Sequence, residues 1–423
     1  MIIDFSFKNF KSFKEETVLS FVASEPFEEH SEFVTEVNLP GLSDLKLLKV
    51  MGIYGSNASG KSNVLEALRW FFGFVTSSHK NDIDEGIERP FFKLQPEAQN
   101  APTEFCLRFI HEGIRYHLTI ELNNERIIYE CLEAFPDGKS QTWYERIWEN
   151  EDYTWESKAS EFHHINRYRK KNTRPNVLYL SKAADDNDRQ MINIFRYFKQ
   201  DHKRREHLRY PENLASYLYH TPETLEYLNT HIPHADLGIS HILVSDQILS
   251  SSHMTAYPDL GQLRFRMKGS AQPTLSFIHQ GGANQQYSLA FHEESDGTQK
   301  FVRYFSELFH SLQDGAFECM DELENQFHPL MVRHYISQFA SAQNQYGAQL
   351  LFTTHDATLL DKSFLRHDQF WFTEKDATGQ STLSSLIEYS SHEDKSLMQN
   401  YLSGIYGAIP HITPLENDSN PSR

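Results

Sequence analysis

The chain has 423 residues, 39% hydrophobic and 13% aromatic, enough to bury a substantial core and to exclude a disordered polypeptide. Its formal net charge of −18 argues against nucleic-acid binding over the whole surface, and no apolar run approaches the roughly 20 residues that cross a bilayer. Cys106, Cys131 and Cys319 are scattered without metal-ligand spacing, as in a reduced, cytoplasmic thiol set.

The opening MIIDFSFKNFKSFKEE alternates like a strand and lacks the apolar core of a signal peptide. Residues 1–8 and 17–23 read as two strands. LKLLKVMGIY (45–54) is a short apolar strand that ends at a glycine. The loop that follows is Gly55, Ser56, Asn57, Ala58, Ser59, Gly60, Lys61, Ser62 and Asn63. After it, Val64, Leu65, Leu68, Phe71, Phe72 and Val75 recur at helical spacing. Strand, glycine loop and helix is the context in which G-x-x-x-x-G-K-S binds phosphate. Gly55 and Gly60 let the backbone bend around an anion, and the helix start adds its positive dipole end. Lys61 can then reach the β- and γ-phosphates, and Ser62 can ligate Mg²⁺.

From 103 to 157 four strand-like runs, TEFCLRFI, IRYHLTIEL, RIIYECLEAF and TWYERIW, are separated by turn residues and predict an antiparallel meander. NVLYLS (176–181) reads as another strand. Residues 187–230 turn helical, with Ile192, Ile194, Phe195 and Phe198 as one patch and Leu214, Leu218, Leu225 and Leu228 as its continuation. Two basic clusters, NRYRKKNTR (166–174) and KQDHKRREHLR (199–209), are either solvated faces or a local nucleic-acid surface. The 22 histidines, including His163, His164, His231 and His234, form no zinc pattern.

The C-terminal part alternates strand and helix again, which predicts a parallel sheet. ESDGTQKFVRYFSEL (294–308) begins an amphipathic helix whose Ser295, Gly297 and Thr298 make a second anion-binding end or an ordinary cap. GAFECMDE runs into Asp321 and Glu322 at a strand end. There Asp321 can hold the Mg²⁺ hydration shell and Glu322 can orient or deprotonate water. QLLFTTH places His355 just beyond a strand, where a histidine can contact a γ-phosphate. The tail ENDSNPSR reads as disordered.

In this order the elements resemble the ABC-type ATPase heads of the SMC and RecF class. GSNASGKS looks like Walker A, FECMDE like Walker B with its catalytic glutamate, SDGTQ like a variant signature, ENQFHP (324–329) like the D-loop region and TTH like the switch histidine. FKNFKSF, DLGI, ESDGT, DELENQFHPL, DQFWFTEKD and YLSGIYGAIP narrow the resemblance. They point to short bacterial AAA or ATP-binding proteins of RloA and abortive-infection AbiL type, with PARIS-type ATPases and overcoming-lysogenization-defect nucleases as relatives. The resemblance implies an α/β P-loop NTPase with an ABC-ATPase head, an antiparallel β lobe and a helical insertion. Its expected parts are 1–184 (Walker A and β lobe), 185–238 (helical insertion) and 239–423 (signature, Walker B and switch histidine). It also implies ATP and Mg²⁺ as ligands, with two heads paired head-to-tail as a homodimer or higher homo-oligomer. Ser295, Gly297 and Thr298 would meet the γ-phosphate held by the other subunit, Glu322 would activate water and His355 would support it. The signature departs from L-S-G-G-Q, and no glutamine follows NVLYLS, where Asp185 or Asn187 could substitute.

The function expected from these features is an ATPase sensor or scaffold for a separate effector, a nuclease of Toprim-like or other type, in bacterial anti-phage defence. The alternative is a RecF/SMC-like DNA-binding ATPase of DNA repair or recombination, and the candidate nucleic-acid partners are DNA and RNA. A third reading is a module that holds ATP without turnover, which the intact Glu322 opposes. No membrane association is expected.

Overall fold

The computed structural model describes residues 1–25, 29–158, 167–207, 211–247, 256–259, 262–265, 272–282, 285–389 and 396–409. His163, His164, parts of both basic clusters and the tail lie outside them. In chain order the elements are β1 (Ile2–Lys8), β2 (Thr17–Ser20), β3 (Val34–Leu39), β4 (Leu42–Leu48), β5 (Val50–Gly55) and α1 (Lys61–Ser77). Next come β6 (Thr103–His111), β7 (Ile114–Leu122), β8 (Ile127–Phe135), β9 (Gln141–Glu149) and β10 (Asp152–Glu156). Then follow α2 (Arg167–Asn172), α3 (Tyr179–Asp185), α4 (Arg189–His207), α5 (Pro211–His220) and α6 (Pro222–His231). After these lie β11 (Ile239–Gln247), β12 (Ala256–Asp259), β13 (Gln262–Phe265), β14 (Gln272–Gln280), β15 (Gln286–Ala290) and α7 (Asp296–Asp314). The chain continues through β16 (Phe317–Met320), α8 (Pro329–Gln338), β17 (Gln349–Thr354), β18 (Phe370–Lys375), β19 (Ser381–Ser385) and α9 (Leu397–Leu402).

These form two compact units: residues 1–198, 317–324 and 349–423, and residues 199–316 and 325–348. The first unit holds two large sheets. One is antiparallel, in the order β10-β9-β8-β7-β6-β1-β2. The other runs β16-β17-β5-β18-β19, parallel except for β19. β5 and β17 are buried at every position, as expected of central parallel strands shielded on both faces. α1 carries the predicted stripe, and Val64, Leu65, Leu68, Phe71, Phe72 and Val75 are all buried. One apolar core joins this stripe to Phe5, Leu107 and Leu118 of the antiparallel sheet and to Ile53, Leu351 and Trp371 of the parallel one. In α4, Met191 joins Ile194 and Phe198 on the buried face, while Ile192 and Phe195 are only half-buried.

The meander is found as β6 to β10. LKLLKVMGIY is divided: β4 pairs with β3, and β5 begins after Lys49 in the parallel sheet. NVLYLS is a correction. The strand expected there is the start of helix α3. A short apolar run fits a buried strand or a buried helix equally well. Here the choice is made by Glu130, whose buried carboxylate accepts the N–H groups of Tyr179 (2.9 Å) and Leu180 (3.2 Å). Those are first-turn donors that a helix leaves unpaired and a carboxylate satisfies well.

In the second unit α5 packs on a three-stranded antiparallel sheet, β11-β14-β15, and α6 packs on α7. Its core includes Leu214, Leu218, Leu228, Ile242, Phe277, Phe305 and Tyr335. Leu225, expected in the apolar stripe, is half-buried.

Candidate functional site

The C-terminal ends of β5, β16 and β17 lie side by side, as the parallel pairs Met320–Phe352 and Thr354–Tyr54 show. Loops that leave this edge of a parallel sheet form ligand crevices. The 55–63 loop, Asp321, Glu322 and His355 all leave from it.

The loop has a fixed shape. Ala58 and Gly60 take positive φ values of 61° and 118°, and Ser59 N–H bonds Ser56 C=O at 3.2 Å. A Cβ on Gly60 would come 2.6 Å from Ser381 Oγ, and one on Gly55 would collide with Thr373 Oγ1. Only glycine fits at either position. Behind the loop runs a chain of hydroxyls. Ser59 Oγ is 2.6 Å from Thr373 Oγ1, and Ser381 Oγ lies 2.6 Å from Ser59 O and 2.8 Å from Ser12 Oγ. Asn63 Nδ2 donates to Ser12 Oγ at 2.7 Å.

Lys61 is buried, and its ammonium donates to Gly55 O (2.9 Å) and Ser56 O (3.1 Å), with His355 Nδ1 at 3.4 Å. Burial pushes its pKa down to about 8, against the opposing pull of the Glu324, Glu322 and Asp321 carboxylates. An ammonium has no acceptor site, so His355 Nδ1 takes the accepting role. That leaves the ring proton on Nε2, which faces Glu322 Oε1 at 4.0 Å. His355 is itself lowered, by burial first and then by the Lys61 charge, and is therefore neutral at neutral pH.

Ser62 Oγ donates to Asp321 Oδ1 at 3.1 Å, and Thr353 Oγ1 donates to the same oxygen at 2.5 Å. Thr353 Oγ1 also accepts Glu322 N–H at 2.8 Å. Glu322 sits at φ 48°, a conformation uncommon for a residue with a side chain and one that clusters at functional sites. Thr353 thus holds both acids at once. Among the described residues no group of three or more His, Cys, Asp or Glu forms a metal cage. The Ser62–Asp321 pair is a partial, all-oxygen set of the kind that suits a hard cation shared with phosphate oxygens.

Ser295, Gly297 and Thr298 belong to the second unit. Ser295 caps α7, its Oγ accepting Thr298 N–H at 3.2 Å, so the ordinary-cap reading describes its hydrogen bonding. Ser295 and Gly297 are exposed, and a Cβ on Gly297 would approach only Ser295 Oγ, at 3.7 Å. Asp185 lies in α3 near Lys182 Nζ (3.4 Å), and Asn187 follows that helix at φ 61°. In the first basic cluster, Lys170 lies over the Trp155 ring and Arg174 donates to Asn81 O.

Sequence reasoning singled out none of Ser12, Thr353, Thr373, Ser381 or Glu324. Four of them stand in strings that carried the resemblance: Ser12 in FKNFKSF, Thr353 in TTH, Thr373 in DQFWFTEKD and Glu324 in ENQFHP.

A family model described as "AAA domain, putative AbiEii toxin, Type IV TA system" matches residues 50–361. No curated protein sequence matches significantly. Solved structures that resemble the chain include an Smc head bound to the C-winged helix domain of ScpA, at 13% identity and a TM-score of 0.41 over 93% of this chain and 98% of that one. The SMC head domain from Thermotoga maritima resembles it at 14% identity and a TM-score of 0.37, over 91% and 98% of the two chains.

Proposed function

The chain belongs to this AAA-domain family of P-loop ATPases, and from that premise we propose that it binds and hydrolyses ATP with Mg²⁺ at the 55–63 loop. The observation that supports this best is the meeting of Lys61, Ser62, Asp321, Glu322 and His355 at one sheet edge. In this reading Lys61 turns from the loop carbonyls to the β- and γ-phosphates and stabilises charge on the transferring group. Ser62 and Asp321 would hold Mg²⁺, which when bound neutralises phosphate oxygens. Glu322 orients the attacking water and accepts its proton as the bond to ADP breaks, and His355, neutral and protonated on Nε2, faces that carboxylate. The nucleoside half fits the open cleft of about 810 Å³ beside the loop, lined by Ser12, Asn63, Trp70, Phe91 and Lys375.

The wider role we assign is an ATPase sensor or scaffold in anti-phage defence. Two heads clasp ATP head-to-tail, with the exposed Ser295–Gly297 turn of one copy offered to the nucleotide of the other, and a separate effector is controlled by that clasp. The family's association with toxins of type IV toxin–antitoxin systems supports the defence setting.

Solution mass and ATP turnover test the reading. Glu322→Gln should lower turnover about 10²–10⁴-fold while keeping nucleotide binding, and should associate in Mg-ATP. Lys61→Ala should lose nucleotide binding, turnover and Mg-ATP-dependent association together. Masses indifferent to Mg-ATP in every variant would refute the clasp, and a Glu322→Gln protein with wild-type turnover would refute the assignment of Glu322.

A further inference from the structure

We propose that Glu324 is a positioning residue for hydrolysis, fixing His355 against Lys61 and Glu322 through a hydrogen bond to the His355 peptide. The assignment rests on the ATPase reading above. Glu324 follows Glu322 in a 3-10 turn (Leu323–Asn325) whose Leu323 side chain is fully buried, so the turn is pinned to the core. From there Glu324 Oε1 accepts the His355 N–H at 2.6 Å. That N–H stands at the end of β17, where the ladder no longer supplies a partner. The peptide it belongs to sets where the imidazole points. With the bond in place, Nδ1 faces the Lys61 ammonium and Nε2 faces the Glu322 carboxylate.

The other carboxylate oxygen of Glu324 is buried without a hydrogen-bond partner. Burying that oxygen unpaired costs free energy, which the Oε1 bond to the His355 N–H offsets.

Steady-state ATPase assays on the full chain test this, with Glu324→Ala, Glu324→Gln, His355→Ala and the double variant Glu324→Ala/His355→Ala. A hydrogen bond to a charged acceptor contributes about 1.5–3 kcal/mol, so Glu324→Ala should lower kcat roughly 10- to 100-fold. The KM for ATP should stay within about twofold, since the lost interaction acts on the chemical step. Glu324→Gln, which keeps an acceptor oxygen, should recover activity to within several-fold of wild type. The double variant should be no slower than His355→Ala, because positioning has no value once the ring is gone. Thermal melts and nucleotide binding show whether each variant is folded. Folded Glu324→Ala with wild-type kcat, or losses that multiply in the double variant, would overturn the positioning role while leaving the ATPase reading intact. Absence of turnover in the wild type would overturn both.

Discussion

His231 Nδ1 lies 3.1 Å from His334 Nε2, so one of these nitrogens carries a proton and the other accepts it. Tyr227 and Phe305 pack against the His231 ring at tilted angles, and Phe305 stacks on His334. Burial pushes His231 down to about 4, helped by the charges of His334 and His234, and burial followed by the His234 charge lowers His334. A folded pKa below the ordinary 6.5 means that the unfolded chain takes up protons first as pH falls. The stability held by the neutral pair is thus present above about 6.5 and is lost as pH drops toward about 4. His117, also pushed to about 4 by burial, acts in the same window. Urea midpoints should fall between pH 7.5 and pH 5, and His231→Phe should make that fall shallower; a flat profile would show that these rings titrate as in solution. None of this pairing could be read in the chain, where His231 and His334 stand 103 residues apart. The loop residues and the two acids were legible because their chemistry is local, held within single short strings. Thr353, Ser381 and Glu324 were not singled out, since a lone hydroxyl or carboxylate gains a role only from a distant partner.

At the scale of elements, β8, β9 and α3 meet around a fully buried ion pair, Glu130 with Arg146 at 2.8 Å. Glu130 also accepts the Tyr144 hydroxyl at 2.8 Å, besides the two amides of α3, and Arg146 donates to Val177 O at 2.5 Å. The guanidinium lies over the Tyr153 and Trp155 rings as well. Removing one partner leaves an uncompensated charge, which costs about 3–5 kcal/mol. Glu130→Ala should therefore lower the unfolding free energy by that amount and loosen α3, read by denaturant titration and by faster amide exchange of Tyr179 and Leu180. A loss below about 1 kcal/mol would mean that water replaces the carboxylate. The same contact explains why α1, β5 and β17 could be read from the sequence and α3 could not. The first three declare themselves by periodicity or length, whereas NVLYLS is ambiguous on both counts and is decided by a glutamate far along the chain.

For the molecule as a whole, the parallel sheet is assembled from distant segments. β5 has β17 and β18 as neighbours, and both come after residue 348. A fragment ending at residue 198 would leave β5 without hydrogen-bonded neighbours, a segment that in the native sheet is apolar on both faces. Such a fragment should aggregate or lack protected amides in β5, measured by hydrogen exchange; a monomeric fragment with protected β5 amides would show that the antiparallel sheet and α1 suffice. Alternation of strand and helix made the sheet type readable, but strand order was not, because pairing partners are chosen by long-range packing.

The hydroxyl chain through Ser12, Ser59, Thr373 and Ser381 has a kinetic consequence. It fastens the phosphate loop to three remote stretches of backbone, so the loop's backbone shape is settled when the protein folds and a guest has only the Lys61 side chain to re-aim. Capture of a nucleotide is then a simple collision, and its observed rate climbs in proportion to nucleotide concentration with no plateau from a slow rearrangement. Whatever timing this ATPase imposes then comes later in its cycle, from association of heads, from chemistry or from release.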